Sequence, residues 1–578
     1  MSSLLRRLYQ RLRLANRRRL YRRNASKATS YAHWLTSHDT LGEAQLDSLR
    51  ARLELLQERP KISVLMPTFN PTREWFERAV DSVRRQLYPN WELCIADDAS
   101  DRPWLTARLA ELQQEDPRIR AVRREVNGHI CAATNSALAL ATGDWIALLD
   151  HDDELREHAL LLIAETACAS PQAGMIYSDE DKLDELGQRC WPHFKPGWNY
   201  DLCLSNNYVC HLLAVKTVLV RQLGGMRPGF EGAQDHDLVL RVSEHLKPEQ
   251  IRHIPQVLYH WRMHEQSTAK GGEIKPYAFE AGRRCVEDHL HRLGYAVRVE
   301  TLASGRYRVH WTLPSPPPLV SILIPTRNQA GLLKTCLESL KAITDYPSYE
   351  ILIIDNGSDA PDALALLEHW SRQPQVRVIR DDSPFNYSAL NNRAARQAQG
   401  SVLVLMNNDI EILHSDWLHE MVSQACRPGV GAVGAKLLYP DRTVQHAGVV
   451  LGMSPDSPMG GVAGHAHRGI PGEAEGYMNR AAVAQRFSAV TAACLTILRS
   501  RFDAVGGFEE ENLAVAFNDV DLCLRLEDIG LINVWTPFAM LVHHESVSRG
   551  KDKQPKNRER YLGERAYMLR RWGARLTM

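Results

Sequence analysis

Gly143 is followed at +7 and +9 by Asp150 and Asp152, and Gly400 is followed at +7 and +9 by Asn407 and Asp409. An apolar run separates glycine from acid each time, WIALL in the first and VLVLM in the second. Carboxylates at i and i+2 where a strand ends both reach one pocket. Hard divalent cations take oxygen ligands, and Mg²⁺ usually takes one or two carboxylates plus phosphate oxygens. The spacing therefore predicts a site for Mn²⁺ or Mg²⁺ and a diphosphate. A lone D-x-D is also what an acidic surface turn looks like, but this one recurs at the same register behind an apolar strand. Further on come AQDHDLVLR, with Asp235, Asp237 and Arg241, and FNDVDLCLR, with Asp519, Asp521 and Arg525. Both read as helix starts, where carboxylates meet the positive end of the helix. Asp237 and Asp521 suit capping. Asp235 and Asp519 suit a general base that takes a proton from an attacking hydroxyl.

The elements that must hold these groups are also written twice. ISVLMPTFNP (62–71) and VSILIPTRNQ (320–329) are apolar strands that stop in Pro67, Thr68, Asn70 and Pro325, Thr326, Asn328. Thirty residues after each proline, ELCIADDAS and EILIIDNGS end in Asp97-Asp98 and Asp355-Asn356. Helical patterns lie between, so the grammar is strand–helix–strand, that of a parallel sheet. Ligands of such sheets bind outside the carboxyl ends of the strands, which is why the strands stop in polar groups. Asn135-Ser136 and Asn392-Arg393 then precede the two glycine stops, and each half reaches a late histidine, His264 and His544. Five anchors in one order imply two copies of one domain. The expected organisation is a basic amphipathic N-terminal region (1–59), a first domain (60–310), a proline-rich connector (311–319) around LPSPPP, and a second domain (320–578) with a helical tail.

In combination these motifs resemble the family 2 glycosyltransferases of the GT-A fold, over about residues 60–270 and 318–550. The resemblance implies an α/β fold: two GT-A domains in tandem, with mainly parallel central sheets flanked by helices. It implies that Asp97 and Asp355 bind the nucleotide base, with Asp98, Asn356 and the Pro-Thr-x-Asn groups in the same donor site. Asp152 and Asp409 would be the metal-binding aspartates, helped by Asp150 and by Asn407 in its place. His264 and His544 would face metal or diphosphate, and Asp235 and Asp519 would be the bases of an inverting transfer. YSDEDKLDELGQRCWPHFKPGWNYDLCLSNNYV and the block from HAGVVLG through AGHAHRG to HHESVSRG are similar to enzymes of O-antigen or capsule assembly, several of them rhamnosyltransferases. The implied partners are a nucleotide-diphosphate sugar (dTDP-rhamnose among them) and a glycan acceptor, lipid-linked. Two departures stand out: Asn407-Asn408-Asp409 has one acid where the family often has two, and Gln234 and Asn518 stand where many relatives carry Glu.

The metal-site acid and the base are also further apart in the second half (519 − 409 = 110) than in the first (235 − 152 = 83). The extra chain includes PDSPMGGVAGHAHRGIPGE and predicts a different acceptor wall and a different transfer. The alternative is one catalytic domain and one carbohydrate-binding or docking module.

A net charge of +1 gives no global field for nucleic acid. The 11 cysteines form no C-x-x-C pair, fitting reduced thiols and a cytoplasmic protein. No apolar run has the roughly 18 residues a span needs, and no signal-peptide core is present. Residues 1–24 hold nine arginines and no acid, with Leu5, Leu8 and Leu12 at helical spacing. That predicts peripheral contact with an anionic membrane, a solvated arm being the plainer reading. Gly429, Gly431 and Gly434 spell G-x-G-x-x-G behind a helical stretch, the wrong context for a dinucleotide. MLRRW (568–572) is the nearest string to the Q-x-x-R-W of processive synthases. Nucleotidyl transfer would need a glycine-rich phosphate loop, which PTFNPTREW lacks. Trp191 and Trp198 fall near the pocket-side loop, where sugar stacking competes with a core role.

Overall fold

The computed structural model describes residues 31–264, 276–453, 461–544 and 555–576. The basic segment 1–24 and part of the second-half insertion (454–460) lie outside them. The chain divides into two compact units between Val309 and His310.

In the first unit β1 (Ile62–Thr68), β2 (Trp91–Asp97), β3 (Ile119–Arg123), β4 (Trp145–Leu148), β5 (Glu154–Leu155), β6 (Met175–Leu183), β7 (Arg189–His193), β8 (Leu213–Lys216) and β9 (Ile251–Arg262) form one sheet. Its order is β3-β2-β1-β4-β8-β6-β9-β5, with β7 on β6. β1 to β4 are mutually parallel, and β6 and β9 are parallel to each other. β8 runs against both its neighbours, β4 and β6. By that geometry β1, β2, β4, β6 and β9 end on one edge, and β8 begins there. A hairpin, β10 (Val297–Leu302) and β11 (Arg306–Trp311), follows and carries the chain across the boundary, and residues 312–319 are neither strand nor helix. Residues 31–59 belong here too: helices Tyr31–His38 and Glu43–Leu55 precede β1, and Leu49 and Leu53 are buried in the core.

The second unit repeats the plan. β12 (Val320–Thr326), β13 (Tyr349–Asp355), β14 (Val376–Arg380), β15 (Val402–Met406), β16 (Ile410–Ile412), β17 (Val430–Leu438), β18 (Val444–His446), β22 (Cys494–Leu498) and β23 (Ile532–His543) occupy the corresponding places, in the order β14-β13-β12-β15-β22-β17-β23-β16. The insertion adds β19 (Val449–Leu451), β20 (Ala463–His465) and β21 (Gln485–Phe487). It has its own apolar interior, where Val449, Val462, Ala463, Ile470 and Val490 join the core.

The sequence makes these elements for simple reasons. Every residue of β1 and of β12 is buried, so both read as continuous apolar runs, as strands covered on both faces do. The helix Arg73–Arg84 buries Phe76, Ala79, Val80 and Val83, and Ala330–Ile343 buries Leu333, Cys336, Leu337 and Leu340, each at i, i+3, i+4, i+7. Gly143 and Gly400 are required by close approach. A Cβ there would sit 2.6 Å from the carbonyl oxygen of Lys61 or of Leu319, and each glycine N–H donates to the serine of the first strand, Ser63 or Ser321, at 2.9 and 2.8 Å. Asn135 and Asn392 are clamps, each exchanging two hydrogen bonds with the backbone of Met226 or Phe508. The G-x-G-x-x-G string is a left-handed turn at Gly429 entering β17, preceded by the helix Trp417–Ala425.

Candidate active sites

The strand-end groups predicted as the donor site come together identically in both units. Thr68 pairs with Asp97 across β1–β2, and Thr326 with Asp355 across β12–β13. Asn70 and Asn328 are left-handed (φ 47° and 54°); their N–H groups donate to Ser100 and Ser358 Oγ at 2.8 Å. Those serines donate their own N–H to Asp97 and Asp355 Oδ1, at 3.0 and 2.9 Å. The backbone after Pro67 and Pro325 is thus turned outward and tied to the aspartate. The remaining oxygens differ. Asp97 Oδ2 is buried without a hydrogen bond among the described residues, Arg123 lying 3.6 Å away. Asp355 Oδ2 accepts from Arg380 at 2.7 Å. Asp98 accepts from Arg124 and Gly128 N–H, while Asn356 donates to the carbonyls of Asp381 and Ser383, so both also fasten the loop after the third strand.

On the same edge the first unit gathers Asp150, Asp152 and Asp153, with carboxylate oxygens within 4.8 Å of one another. Asp153, not singled out from the sequence, is anchored by Tyr259 OH at 2.6 Å and Arg262 N–H at 2.8 Å. Burial pushes its carboxyl well above the usual range, helped by the charges of Asp152 and Asp150. His264 reaches Asp152 Oδ2 at 2.7 Å. Burial raises Asp152, but that histidine together with the charge of His151 outweighs it and the carboxyl is held low. Asp150 is pushed up by burial; His211 opposes this, 4.0 Å away, and the charges of Asp152 and Asp235 add to it. Asp235 therefore faces the cluster electrostatically. It sits in the first turn of the helix Gln234–Ser243 and accepts from Asn207 at 2.9 Å.

The second unit holds a thinner set. Asp409 Oδ1 lies 3.2 Å from His543, and Asn407 Nδ2 lies 3.3 Å from the same ring nitrogen. Asn408 donates to Thr326 at 2.9 Å. His544, the sequence counterpart of His264, reaches Glu411 at 2.9 Å instead. Strand register is the cause. Glu154 pairs with His260, four residues before His264, whereas Glu411 pairs with Val542, two residues before His544. Asp519 opens the helix Asn518–Asp528 and accepts from Ala492 N–H at 3.0 Å. Burial pushes its carboxyl up. The charges of Asp519 and Asp409 both bear on Tyr387. Asp237 and Asp521 are structural, pairing with Arg241 (2.7 Å) and Arg525 (2.8 Å) one turn on. Trp572 of MLRRW donates to Asp521 at 2.9 Å.

Two GT-A glycosyltransferase domains in tandem account for this architecture. The sequence profile of glycosyl transferase family 2 matches residues 63–214 and 321–454, and the chain belongs to that family. It is 49% identical to uncharacterized protein y4gI of Sinorhizobium fredii over 524 residues, 89% of this chain and 56% of the relative. It is 40% identical to the O-antigen biosynthesis protein RfbC of Myxococcus xanthus, over 91% of this chain and 40% of RfbC. EpsE of Bacillus subtilis is 37% identical over 194 residues, 32% of this chain and 67% of EpsE. The chain thus spans about half the length of the first two relatives. No described helix is long and apolar enough to cross a membrane.

Proposed function

We propose that each unit transfers one sugar from a nucleotide-diphosphate donor to a growing bacterial surface polysaccharide, the product of the first serving as acceptor for the second. The observation that carries this is the pairing, in both units, of strand-end carboxylates with an aspartate at a helix start. The O-antigen role of RfbC supports the polysaccharide; dTDP-rhamnose is the first donor to test. The acceptor is lipid-linked, and residues 1–24 contact the anionic membrane that presents it.

Asp97 and Asp355 bind the base, and the orphaned Asp97 Oδ2 fits a base N–H. Asp235 and Asp519 accept the proton of the attacking hydroxyl. Its oxygen bonds to the anomeric carbon as the bond to the diphosphate oxygen breaks, with inversion. The burial that raises Asp519 suits a base working near neutrality. The hard oxygen donors of Asp150 and Asp152, in a site built by Asp153 and His264, fit Mg²⁺ or Mn²⁺. When bound, the cation supplies charge neutralisation to the leaving diphosphate. In the second unit Asp409 with Asn407 fits such an ion less fully, one carboxylate with phosphate oxygens sufficing.

A second reading, favoured by that thinner set, has the first unit catalytic and the second a docking module. The test is nucleoside-diphosphate release from a panel of nucleotide-sugars with Mg²⁺ or Mn²⁺. Transfer should stop in chelator, and full turnover in excess EDTA would remove the metal assignment.

A further inference from the structure

Trp191 is the most exposed aromatic side chain among the described residues, at 70%, and is left-handed at φ 50°. Both facts exclude a core role, and a bulky residue holds such a conformation only where its surroundings enforce it. The cause is a bulge. On β6 one residue, Asp181, lies between Glu180 and Lys182, while on β7 two, Trp191 and Pro192, lie between their partners Cys190 and His193. The extra residue turns the strand and re-aims the side chain. Lys182 Nζ lies 5.7 Å from the Trp191 ring centre and 4.8 Å from that of Trp261. Trp261 pairs with Lys182 across the parallel β6–β9 ladder, so both stand at the strand-end edge that carries the carboxylates. Its ring is 5.5 Å from His211, which is 4.0 Å from Asp150. The next residue, Arg262, donates its N–H to Asp153. The group therefore lies beside the cluster, on the side away from the Asp97 strand.

The second unit is built differently here. By the matching strand registers Lys182 corresponds to Tyr439 and Trp261 to His543, so among its described residues neither the lysine nor the tryptophan recurs at these positions.

Resting on the proposed transfer, we infer that Trp191, Lys182 and Trp261 form an acceptor subsite of the first unit, which stacks a pyranose ring on the exposed face of Trp191 and donates from Lys182 Nζ to the sugar's oxygens. An indole face covers the apolar face of a pyranose, while an ammonium satisfies its hydroxyl or carboxylate oxygens. With Tyr439 and His543 at these positions, the second unit grips its acceptor differently.

The test is saturation-transfer NMR on the full chain with methyl pyranosides: a glucoside, a rhamnoside and a glucuronide. Wild type should receive saturation from the protein, and Trp191→Leu should weaken binding by about fivefold or more, in line with an aromatic contact. Trp191→Phe, which keeps a ring, should retain most of it. Lys182→Met should weaken binding of the glucuronide most if the oxygens are a carboxylate, and of all three alike if they are hydroxyls. Circular dichroism checks that the variants are folded. Trp191→Leu binding every glycoside as wild type does overturns the subsite, as does loss of vesicle binding with glycosides unaffected, which would assign the patch to a lipid surface. Neither result touches the proposed transfer, which is read separately from nucleoside-diphosphate release.

Discussion

β6 and β17 hold the same place in their sheets, between β8 and β9 in one unit and between β22 and β23 in the other, yet their chemistry is opposite. β6 buries Asp179, Glu180 and Asp181 in succession. Asp179 meets His253 at 2.8 Å, Glu180 meets His193, Lys195 and His211, and Asp181 accepts from Tyr31 and Arg189 at 2.6 Å. β17 ends instead in Gly434, Ala435, Lys436, Leu437 and Leu438. Its lysine is buried, donates to Ala481 O at 2.9 Å, and is brought down to about 8 by burial. The strand-end turns of the two units share the same asparagine–serine–aspartate hydrogen bonds. The divergence gathers where β6 and β17 end, around the metal-site acids and the proposed acceptor side. Under the proposed function, this difference argues for two different acceptors.

The largest expected effect tests what the units share. Asp235→Asn and Asp519→Asn should each slow the transfer of its own unit by roughly 10²–10⁴-fold, with donor binding intact by calorimetry. Collapse of donor affinity would make these residues binders instead of bases.

The buried charges should break the symmetry. Glu180→Ala leaves Lys195 and two histidines around an empty site, and removing one partner of a buried pair costs about 3–5 kcal/mol. Urea unfolding of the full chain should show an earlier transition in the first unit alone; an unshifted curve would mean that β6 does not depend on its charges. The glycines should restore the symmetry. Gly143→Ala and Gly400→Ala put a methyl against backbone that cannot move aside, for about 1–3 kcal/mol each, and unequal losses would mean that the frames are less alike than their hydrogen bonds.

A smaller effect is expected from Glu92, which Ser63 and Lys61 hold at 2.6 and 2.7 Å. Burial raises its carboxyl, but those bonds and the Thr142 N–H outweigh it and bring it from 4.5 down to about 2. A depressed carboxylate stabilises the fold above its ordinary value, and that stability is lost as pH falls through the folded value. The first unit should thus weaken progressively between about pH 4.5 and 2, and Glu92→Gln should flatten that part of its thermal profile.

Much of this was legible in the sequence because it is local. Pro67–Asn70, Asp97 and the Asp150–Asp152 spacing lie on strands and strand ends whose apolar runs announce themselves, and the repeat doubles the signal. His211 and Glu180 gave none. They meet through the antiparallel insertion of β8 between β4 and β6, a pairing that no nearby residues encode. The partners of the second histidine pair were not legible either: strand register sets His544 against Glu411 and leaves His543 beside Asp409. Trp191 was visible as a residue, but its exposure follows from a bulge fixed by pairing with β6.

Two successive transfers by two units leave a direct trace in product mass. Asp152→Ala and Asp409→Ala chains, each given donors and acceptor, should be compared with wild type by product mass. Asp152→Ala should stall with no sugar added and Asp409→Ala should stop after one. Complete wild-type product at the normal rate from either variant would contradict successive transfer.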